Sequence, residues 1–173
     1  MDDLNELTSK PIPEEFYSEY EERPFLTCTR CGEKLSDFTD GFQIAKVFKL
    51  DEVVFEYALC SPCHMAMIDE FSMESRQALE DYYSANMTAG LGAGHCGICQ
   101  LHRKDLPQVE FSLGAACLGS QLLEAFMICS PCMEVSNLLV SKKTQDIWND
   151  FIDTNFPGVP ADSMPCPTSV SLF

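Results

Sequence analysis

The sequence predicts an α+β fold made of two repeated units. Eight of its ten cysteines form four C-x-x-C pairs, and the pairs recur with a period of 68 to 69 residues. Each unit also contains two short segments rich in β-branched and aromatic residues, followed by a segment with helical periodicity. A turn bearing two cysteines, a β-hairpin and a helix are therefore expected twice in the chain.

The predicted strands form one hairpin in each unit. Asp51–Glu52 separates the two strand-like segments of the first unit, and Gly119–Ser120 separates those of the second. Aspartate, glycine and serine are residues that favour chain reversal between strands. The four predicted strands cover residues 42–50, 53–59, 109–118 and 121–128.

Helices are predicted to begin at Ser61–Pro62 and at Ser130–Pro131. Serine accepts a hydrogen bond from the free N–H groups of a first helical turn, and proline fits that turn without loss. Ser72 and Ser141 are expected to restart the helices after a kink. The later turns carry one apolar face, which consists of Leu79, Tyr82 and Tyr83 in the first unit and Trp148, Phe151 and Ile152 in the second.

The paired cysteines indicate metal binding. Two thiolates three positions apart in a tight turn can hold one ion, and a second pair completes a tetrahedron. Disulfides are disfavoured because they persist in oxidising compartments, and the acidic start of the sequence does not look like an export signal. The predicted ligands are Cys28, Cys31, Cys60 and Cys63 for one ion, and Cys96, Cys99, Cys129 and Cys132 for the other. Of the two cysteines left over, Cys117 is expected to be a buried apolar residue and Cys166 an exposed thiol.

The order of knuckle, hairpin and helix, with the last two ligands at the helix start, resembles the treble-clef and zinc-ribbon-like class of zinc modules. The resemblance covers residues 26–87 and 94–156 and concerns the fold class, not a named family. We expect the two units to share an apolar face with a pseudo-twofold relation. The predicted organisation is an acidic arm (1–25), zinc unit 1 (26–88), a glycine-rich joint (89–94), zinc unit 2 (95–156) and a proline-rich tail (157–173).

Two Zn²⁺ ions per chain are the expected cofactors, in a structural role. A catalytic zinc keeps one position open for water, whereas four cysteines close the coordination sphere. Iron is the alternative ion, because Cys28-x-x-Cys31-Gly32 resembles half of a rubredoxin motif, but the second pair lacks the matching glycine. Replacing Cys63 by serine is expected to unfold mainly the first unit.

The sequence offers no catalytic residue and no site for an organic cofactor. The three histidines, His64, His95 and His102, do not form a nucleophile–base pair that can be placed. The glycine motif at 92–97 follows a helix end instead of a strand, so it fails the context that a dinucleotide site requires. An enzyme is therefore not expected.

Composition narrows the classes of partner. The chain has 27 acidic and 11 basic residues and a formal charge of −16, which disfavours nucleic acid and anionic membranes. No stretch approaches the roughly 20 apolar residues of a membrane span, so a cytoplasmic protein is expected. The predicted function is that of a zinc-binding scaffold that contacts a protein partner. Two alternatives stay open: a redox-responsive or electron-carrying metal–thiolate protein, and a zinc protein that binds nucleic acid through a local basic patch.

The end of the tail suggests one specific partner. Ser171, Leu172 and Phe173 resemble the end of the short peptide with which many proteins bind the bacterial sliding clamp. The glutamine and leucine that precede those residues in the clamp-binding pattern are absent here.

Overall fold

A computed structural model describes residues 10–106 and 110–156. Within these ranges the chain forms strands and helices in the order β1 (Lys10–Pro11), β2 (Phe42–Lys49), β3 (Glu52–Cys60), α1 (Ser61–Glu70), α2 (Met73–Asn86), β4 (Glu110–Leu118), β5 (Gln121–Cys129), α3 (Ser130–Leu138) and α4 (Lys142–Asn155). This mixture of helices and antiparallel strands agrees with the predicted α+β class. The predictions for Cys166 and for the clamp-like end of the tail lie outside the described residues.

The strands form a single sheet in the order β1-β5-β4-β2-β3, and all neighbours are antiparallel. The two hairpins join through β2 and β4, in which Ala45 lies directly opposite Gly114. Cys129 follows Cys60 by 69 positions, and Gly114 follows Ala45 by the same number. A pseudo-twofold axis therefore passes between these strands, and residues 69 positions apart in the hairpins and helices are called counterparts below.

Both hairpins turn in two residues. Gly119 and Ser120 form the second turn as predicted, with Gly119 at a φ of +58°. The first turn lies one residue earlier than predicted, at Leu50 and Asp51, and Glu52 belongs to β3. Leu50 and Asp51 have φ values of +53° and +66°, the left-handed pair that matches the twist of a tight hairpin.

The short helices α1 and α3 begin at Ser61 and Ser130 with a proline in the first turn, as the sequence predicts, but the serines are not the caps. The capping position of α1 is Cys60, which makes no side-chain capping bond. The Ser61 hydroxyl instead donates to the carbonyls of Asp40 and Gly41, at 2.9 and 3.0 Å. Serine at this point thus ties the helix start to the loop before β2.

The long helices α2 and α4 restart at serine caps, as predicted. The Ser72 hydroxyl accepts from the Ser75 N–H at 3.1 Å, and the Ser141 hydroxyl accepts from the Thr144 N–H at 3.3 Å. Each cap satisfies a free N–H group of a first helical turn. No helix within residues 10–106 and 110–156 is long and apolar enough to cross a membrane.

Each long helix packs against the other half of the chain. Tyr57 of β3 contacts the rings of Trp148 and Phe151 on α4, with centroids 6.1 and 5.5 Å apart. In the opposite direction, the hydroxyl of Tyr82 on α2 donates to the carbonyl of Cys132 at 3.1 Å. The two halves therefore complete one shared core instead of burying their apolar faces separately.

The N-terminal arm is held by a buried ion pair. Lys46 Nζ lies 3.7 Å from the Glu56 carboxylate, and their side chains are only 2% and 3% exposed. Lys46 donates to the backbone carbonyls of Glu15 and Tyr17, at 3.0 and 2.6 Å. Glu56 accepts three further hydrogen bonds from the arm, donated by the Ser18 hydroxyl and the N–H groups of Glu19 and Tyr20. Both buried charges are thus satisfied by the segment that they bind.

Candidate metal centres

Two groups of four cysteines stand together in the structure. In each group all four sulfur atoms lie within 4.8 Å of one another. The distance between Sγ atoms is 3.9 Å for Cys31 and Cys60, and 3.7 Å for Cys99 and Cys129. Tetrahedral zinc with Zn–S bonds of about 2.3 Å places its sulfurs about 3.8 Å apart. The groups are Cys28, Cys31, Cys60 and Cys63, and Cys96, Cys99, Cys129 and Cys132, the eight residues that the sequence predicts.

The first cysteine pair of each group lies in a tight turn. The Gly32 N–H donates to the Cys28 carbonyl at 2.9 Å, and Gln100 makes the same bond to Cys96 at 2.9 Å. Gly32 and Gln100 both have left-handed backbones, with φ values of +76° and +66°. Glycine adopts this conformation freely, whereas glutamine does so at a cost. The reversal turns both sulfurs of the pair toward the same point.

The second pair lies where a strand runs into a helix. Cys60 ends β3 and Cys63 stands in the first turn of α1, and Cys129 and Cys132 occupy the same positions at the start of α3. The Cys60 N–H donates to Cys28 Sγ at 3.4 Å and thereby ties the second pair to the first. The positive end of the helix favours a thiolate there, but burial has the larger effect and raises the pKa of these thiols.

The backbone stabilises one thiolate in each group. Burial opposes ionisation of Cys28, but hydrogen bonds from the backbone of Cys31, Cys60 and Arg30 outweigh it and lower its pKa to about 7. The pKa of Cys96 is lowered in the same way: burial opposes ionisation, and backbone hydrogen bonds led by that of Cys129 prevail. Cys28 and Cys96 thus ionise more readily than a free cysteine.

The second pair of each group, at the strand–helix junction, ionises less readily. Burial raises the pKa of Cys129 to about 11. Burial also raises the pKa of Cys63, and its hydrogen bonds with the neighbouring cysteines add to the effect. Several negative charges this close together repel one another unless a cation lies between them. Four sulfurs in this arrangement suit a divalent, thiophilic ion, because metal ligation requires the thiolate form.

Exposure follows the same pattern in both groups. Cys28 and Cys60 are buried and Cys63 is half-buried, whereas Cys31 is exposed. In the second group Cys96 and Cys129 are buried, Cys132 is half-buried and Cys99 is exposed. The nine cysteines in the described part of the chain are all free thiols, so the disulfide alternative has no support in these ranges.

The histidines stay outside both groups. His64 follows a candidate ligand but is buried, and burial lowers its pKa to about 4. His95 and His102 stack edge to face across the second knuckle, with ring centroids 4.8 Å apart. Among the described residues, these two cysteine groups are the clusters of three or more potential metal ligands.

Cys117 is buried at 2% exposure, and burial raises its pKa to about 12, as suits the apolar residue that the sequence predicts.

Sequence reasoning missed the buried pair of Lys46 and Glu56. The available signal was periodicity, since Lys46 stands two residues from both Ile44 and Phe48 and so shares their face of β2. The counterparts of Lys46 and Glu56 are Ala115 and Ala125, which lie directly opposite each other in β4 and β5. The charged pair is therefore a feature of the first half alone, where the arm is bound.

No protein-family model, curated protein or solved structure matches this chain. The function is therefore inferred from the chemistry of the two cysteine groups and from the surfaces around them.

Proposed function

We propose that this chain is a protein-interaction module stabilised by two structural zinc ions, each bound by four cysteines of a treble-clef-like unit. The observation that carries the proposal is the meeting of four thiols from a knuckle and a helix start, within 4.8 Å, in both halves of the chain. This donor set suits zinc, and the sulfur spacing fits its bond length.

A structural role follows from the number of ligands. Four cysteines fill a tetrahedral zinc site, so no position is left for a water molecule or a substrate. The groups next to the ligands act on the backbone: Arg30 donates to the Cys63 carbonyl at 3.4 Å, and Tyr82 donates to that of Cys132. Both contacts brace a helix start instead of offering an acid or a base to a reactant.

Zinc would supply much of the stability of this fold. A structural zinc ion contributes an apparent ~10–16 kcal/mol at neutral pH, while a typical domain is stable by only about 5–15 kcal/mol. Each ion would join a knuckle to a strand–helix junction about 30 residues away in sequence. Because the two halves share one core, an ion bound in one half would also stabilise the other.

Protein is the favoured class of partner. The net charge of −16 repels phosphate backbones and anionic lipid surfaces, and it favours neutral or basic protein surfaces. With both ions in structural roles, the exposed surface of the sheet and helices is what remains for function.

Metal analysis of protein purified without added metal tests the proposal. We expect two zinc ions per chain and no visible absorption, whereas iron–thiolate centres are coloured. Cys63→Ser and Cys132→Ser should each reduce the content to one ion, and Cys117→Ala is the matched control that should keep two. Intact folded protein without bound metal would overturn the proposal.

A redox-responsive role is the second candidate, because each group exposes one sulfur. Cys31 and Cys99 are exposed, and each lies within 4 Å of a buried sulfur, that of Cys60 or Cys129. Hydrogen peroxide would convert two such thiolates and two protons into a disulfide and two water molecules, which frees the ion. Stoichiometric zinc release by peroxide, reversed by a thiol reductant with added zinc, would support this role; retention of zinc would exclude it.

A further inference from the structure

The outer strands of the paired hairpins are β5 and β3, and of these two only β5 has a further strand beside it in the described residues. The outer edge of β5 is covered by β1, in which Lys10 lies opposite Leu122 and Pro11 opposite Gln121. One residue further on, the Ile12 N–H donates to the Ser120 carbonyl at 3.1 Å. A short extended segment thus covers this edge with main-chain hydrogen bonds.

The outer edge of β3 is the counterpart of this covered edge. Val53 corresponds to Leu122 and Glu52 to Gln121, and β3 is the last strand of the sheet. Within residues 10–106 and 110–156, the main-chain bond to this edge comes from Thr29, whose N–H donates to the Ala58 carbonyl at 2.8 Å. The stretch from Glu52 to Phe55 has no main-chain partner on its outer side in these ranges.

A groove of about 360 Å³ runs beside this stretch. Its apolar lining includes Phe25, Leu26, Val54, Phe55 and Phe156. Phe55 and Phe156 meet edge to face, with centroids 4.4 Å apart, and they form a fixed aromatic wall. The groove is large enough to take one or two aliphatic side chains of a strand laid along the edge.

The groove is lined by two carboxylates, those of Glu21 and Glu56, and by no lysine or arginine. Glu56 is buried and paired with Lys46, and Glu21 is exposed and paired with Arg23. The flanking segments 18–23 and 49–52 add an acidic excess, with five acidic residues and two basic ones. The segment that covers the counterpart edge reads Lys10-Pro11-Ile12, a basic residue followed by apolar ones. The acidic excess near the groove and the sequence of the segment at the counterpart edge thus both favour a strand with a basic residue followed by apolar ones.

We infer that the outer edge of β3 from Glu52 to Phe55 binds an extended peptide of a partner protein, one that carries lysine or arginine next to an aliphatic residue. The peptide adds a strand to the sheet, its main chain pairs with β3, and its aliphatic side chain enters the groove. This inference rests on the proposed function as an interaction module and names the chemical class of its partner.

A pair of matched variants tests the edge. Val54 and its counterpart Leu123 are the extra residues of bulges in β3 and β5, and they are 37% and 59% exposed. Val54→Arg places bulk and positive charge in the groove, whereas Leu123→Arg places them beside the edge that β1 already covers. Both positions are exposed enough for the variants to fold.

The probe is a phage-displayed library of random ten-residue peptides, selected on the full-length, metal-loaded chain. We expect enriched peptides that combine lysine or arginine with aliphatic residues and bind with micromolar Kd. Val54→Arg should weaken their binding at least tenfold, and Leu123→Arg should change it less than twofold. Failure to enrich peptides, or binding that Val54→Arg does not weaken, would overturn the inference.

Zinc content, measured on the same preparations, separates the two proposals. Two zinc ions per chain without edge-dependent peptide binding would overturn the inference and leave the proposed function standing. Folded protein without zinc would instead overturn the proposed function, whatever the peptides show.

Discussion

The hydroxyl oxygens of Ser72 and Ser141 lie 2.8 Å apart, at the point where α2 and α4 begin. Each serine caps its own helix and also binds the other one: the Ser72 N–H donates to Thr144 Oγ1 at 3.0 Å, and the Ser141 N–H donates to Ser75 Oγ at 2.7 Å. Ser75 and Thr144 are fully buried. Four hydroxyl groups on the pseudo-twofold axis thus fix the two long helices against each other.

We predict that Ser72→Ala and Ser141→Ala each lower the free energy of unfolding by about 1–2 kcal/mol, because each removes a helix cap and leaves buried hydroxyl groups with fewer partners. Urea titration of the zinc-loaded protein measures the change. Ser84→Ala is the control, since Ser84 is exposed within α2 and alanine favours a helix.

The double variant of Ser72 and Ser141 should cost less than the sum of the single ones. Once one hydroxyl is gone, the other has already lost its partner across the axis, so a coupling energy of at least about 0.5 kcal/mol is expected. Additive costs would show that the two caps act independently.

The sequence predicts the local features of the fold. The serine caps of α2 and α4, the turn at Gly119–Ser120 and both cysteine groups follow from residue types at short spacings. These features depend on hydrogen bonds and ligands that a few neighbouring residues determine.

The sequence does not predict that each long helix packs against the other half of the chain, an arrangement called the helix exchange below. The apolar face that includes Leu79 and Tyr83 shows that α2 packs against a sheet, but it does not say which half of the sheet. The register of Ala45 with Gly114 makes one sheet from two hairpins, and in this sheet α4 packs on β3 of the first half while α2 contacts α3 of the second. Long-range strand pairing of this kind leaves no local pattern in the sequence.

The helix exchange changes the expected effect of losing one metal site. From the sequence, Cys63→Ser should unfold mainly the first unit. In the structure Trp148, the single tryptophan, belongs to α4 of the second half but is buried against Tyr57 of the first. We therefore predict that Cys63→Ser also loosens the second half, and that tryptophan emission shifts to longer wavelength as Trp148 meets water.

Fluorescence and zinc content measured on the same samples test this coupling. Cys63→Ser should retain at most one zinc ion per chain and show one cooperative unfolding transition at lower urea concentration than the parent protein. Cys117→Ala, which leaves both sulfur groups intact, should keep the parent emission at neutral pH. A native tryptophan spectrum in Cys63→Ser would mean that Tyr57 and Trp148 stay packed together without the first metal site.

The buried pair of Lys46 and Glu56 should control the attachment of the arm. Glu56→Ala leaves the buried Lys46 ammonium group with only the exposed Glu19 carboxylate, 3.9 Å away. Loss of a buried partner charge typically costs about 3–5 kcal/mol, and the remote Glu19 offsets only part of that cost. The substitution also removes the acceptor of the Glu19 and Tyr20 N–H groups. Hydrogen exchange at these two amides should therefore accelerate strongly in the variant.

The second half of the chain supplies the control for this pair. Because the counterparts of Lys46 and Glu56 are two alanines, the double variant Lys46→Ala/Glu56→Ala should regain part of the stability that Glu56→Ala loses. It should still free the segment from Ser18 to Tyr20, because neither charge is left to bind it, while β1 stays paired with β5. Slow exchange at Glu19 and Tyr20 in the double variant would show that Phe16 and its packing hold the arm without the ion pair.

Cys117 should make the protein less stable in alkali. Burial raises the pKa of its thiol from 9.0 to about 12, so the folded chain holds this proton at pH values where the unfolded chain has released it. The contribution to stability is therefore complete below pH 9 and is lost as the pH rises from about 9 toward 12; at pH 10 the loss is about 1.4 kcal/mol. Urea unfolding of the parent protein and of Cys117→Ala at pH 8 and pH 10 isolates the effect, because the lysines and tyrosines titrate in both. The stability difference between the two proteins should shift by about that amount in favour of Cys117→Ala at the higher pH, and an unchanged difference would show that the thiol ionises as freely in the folded chain as in the unfolded one.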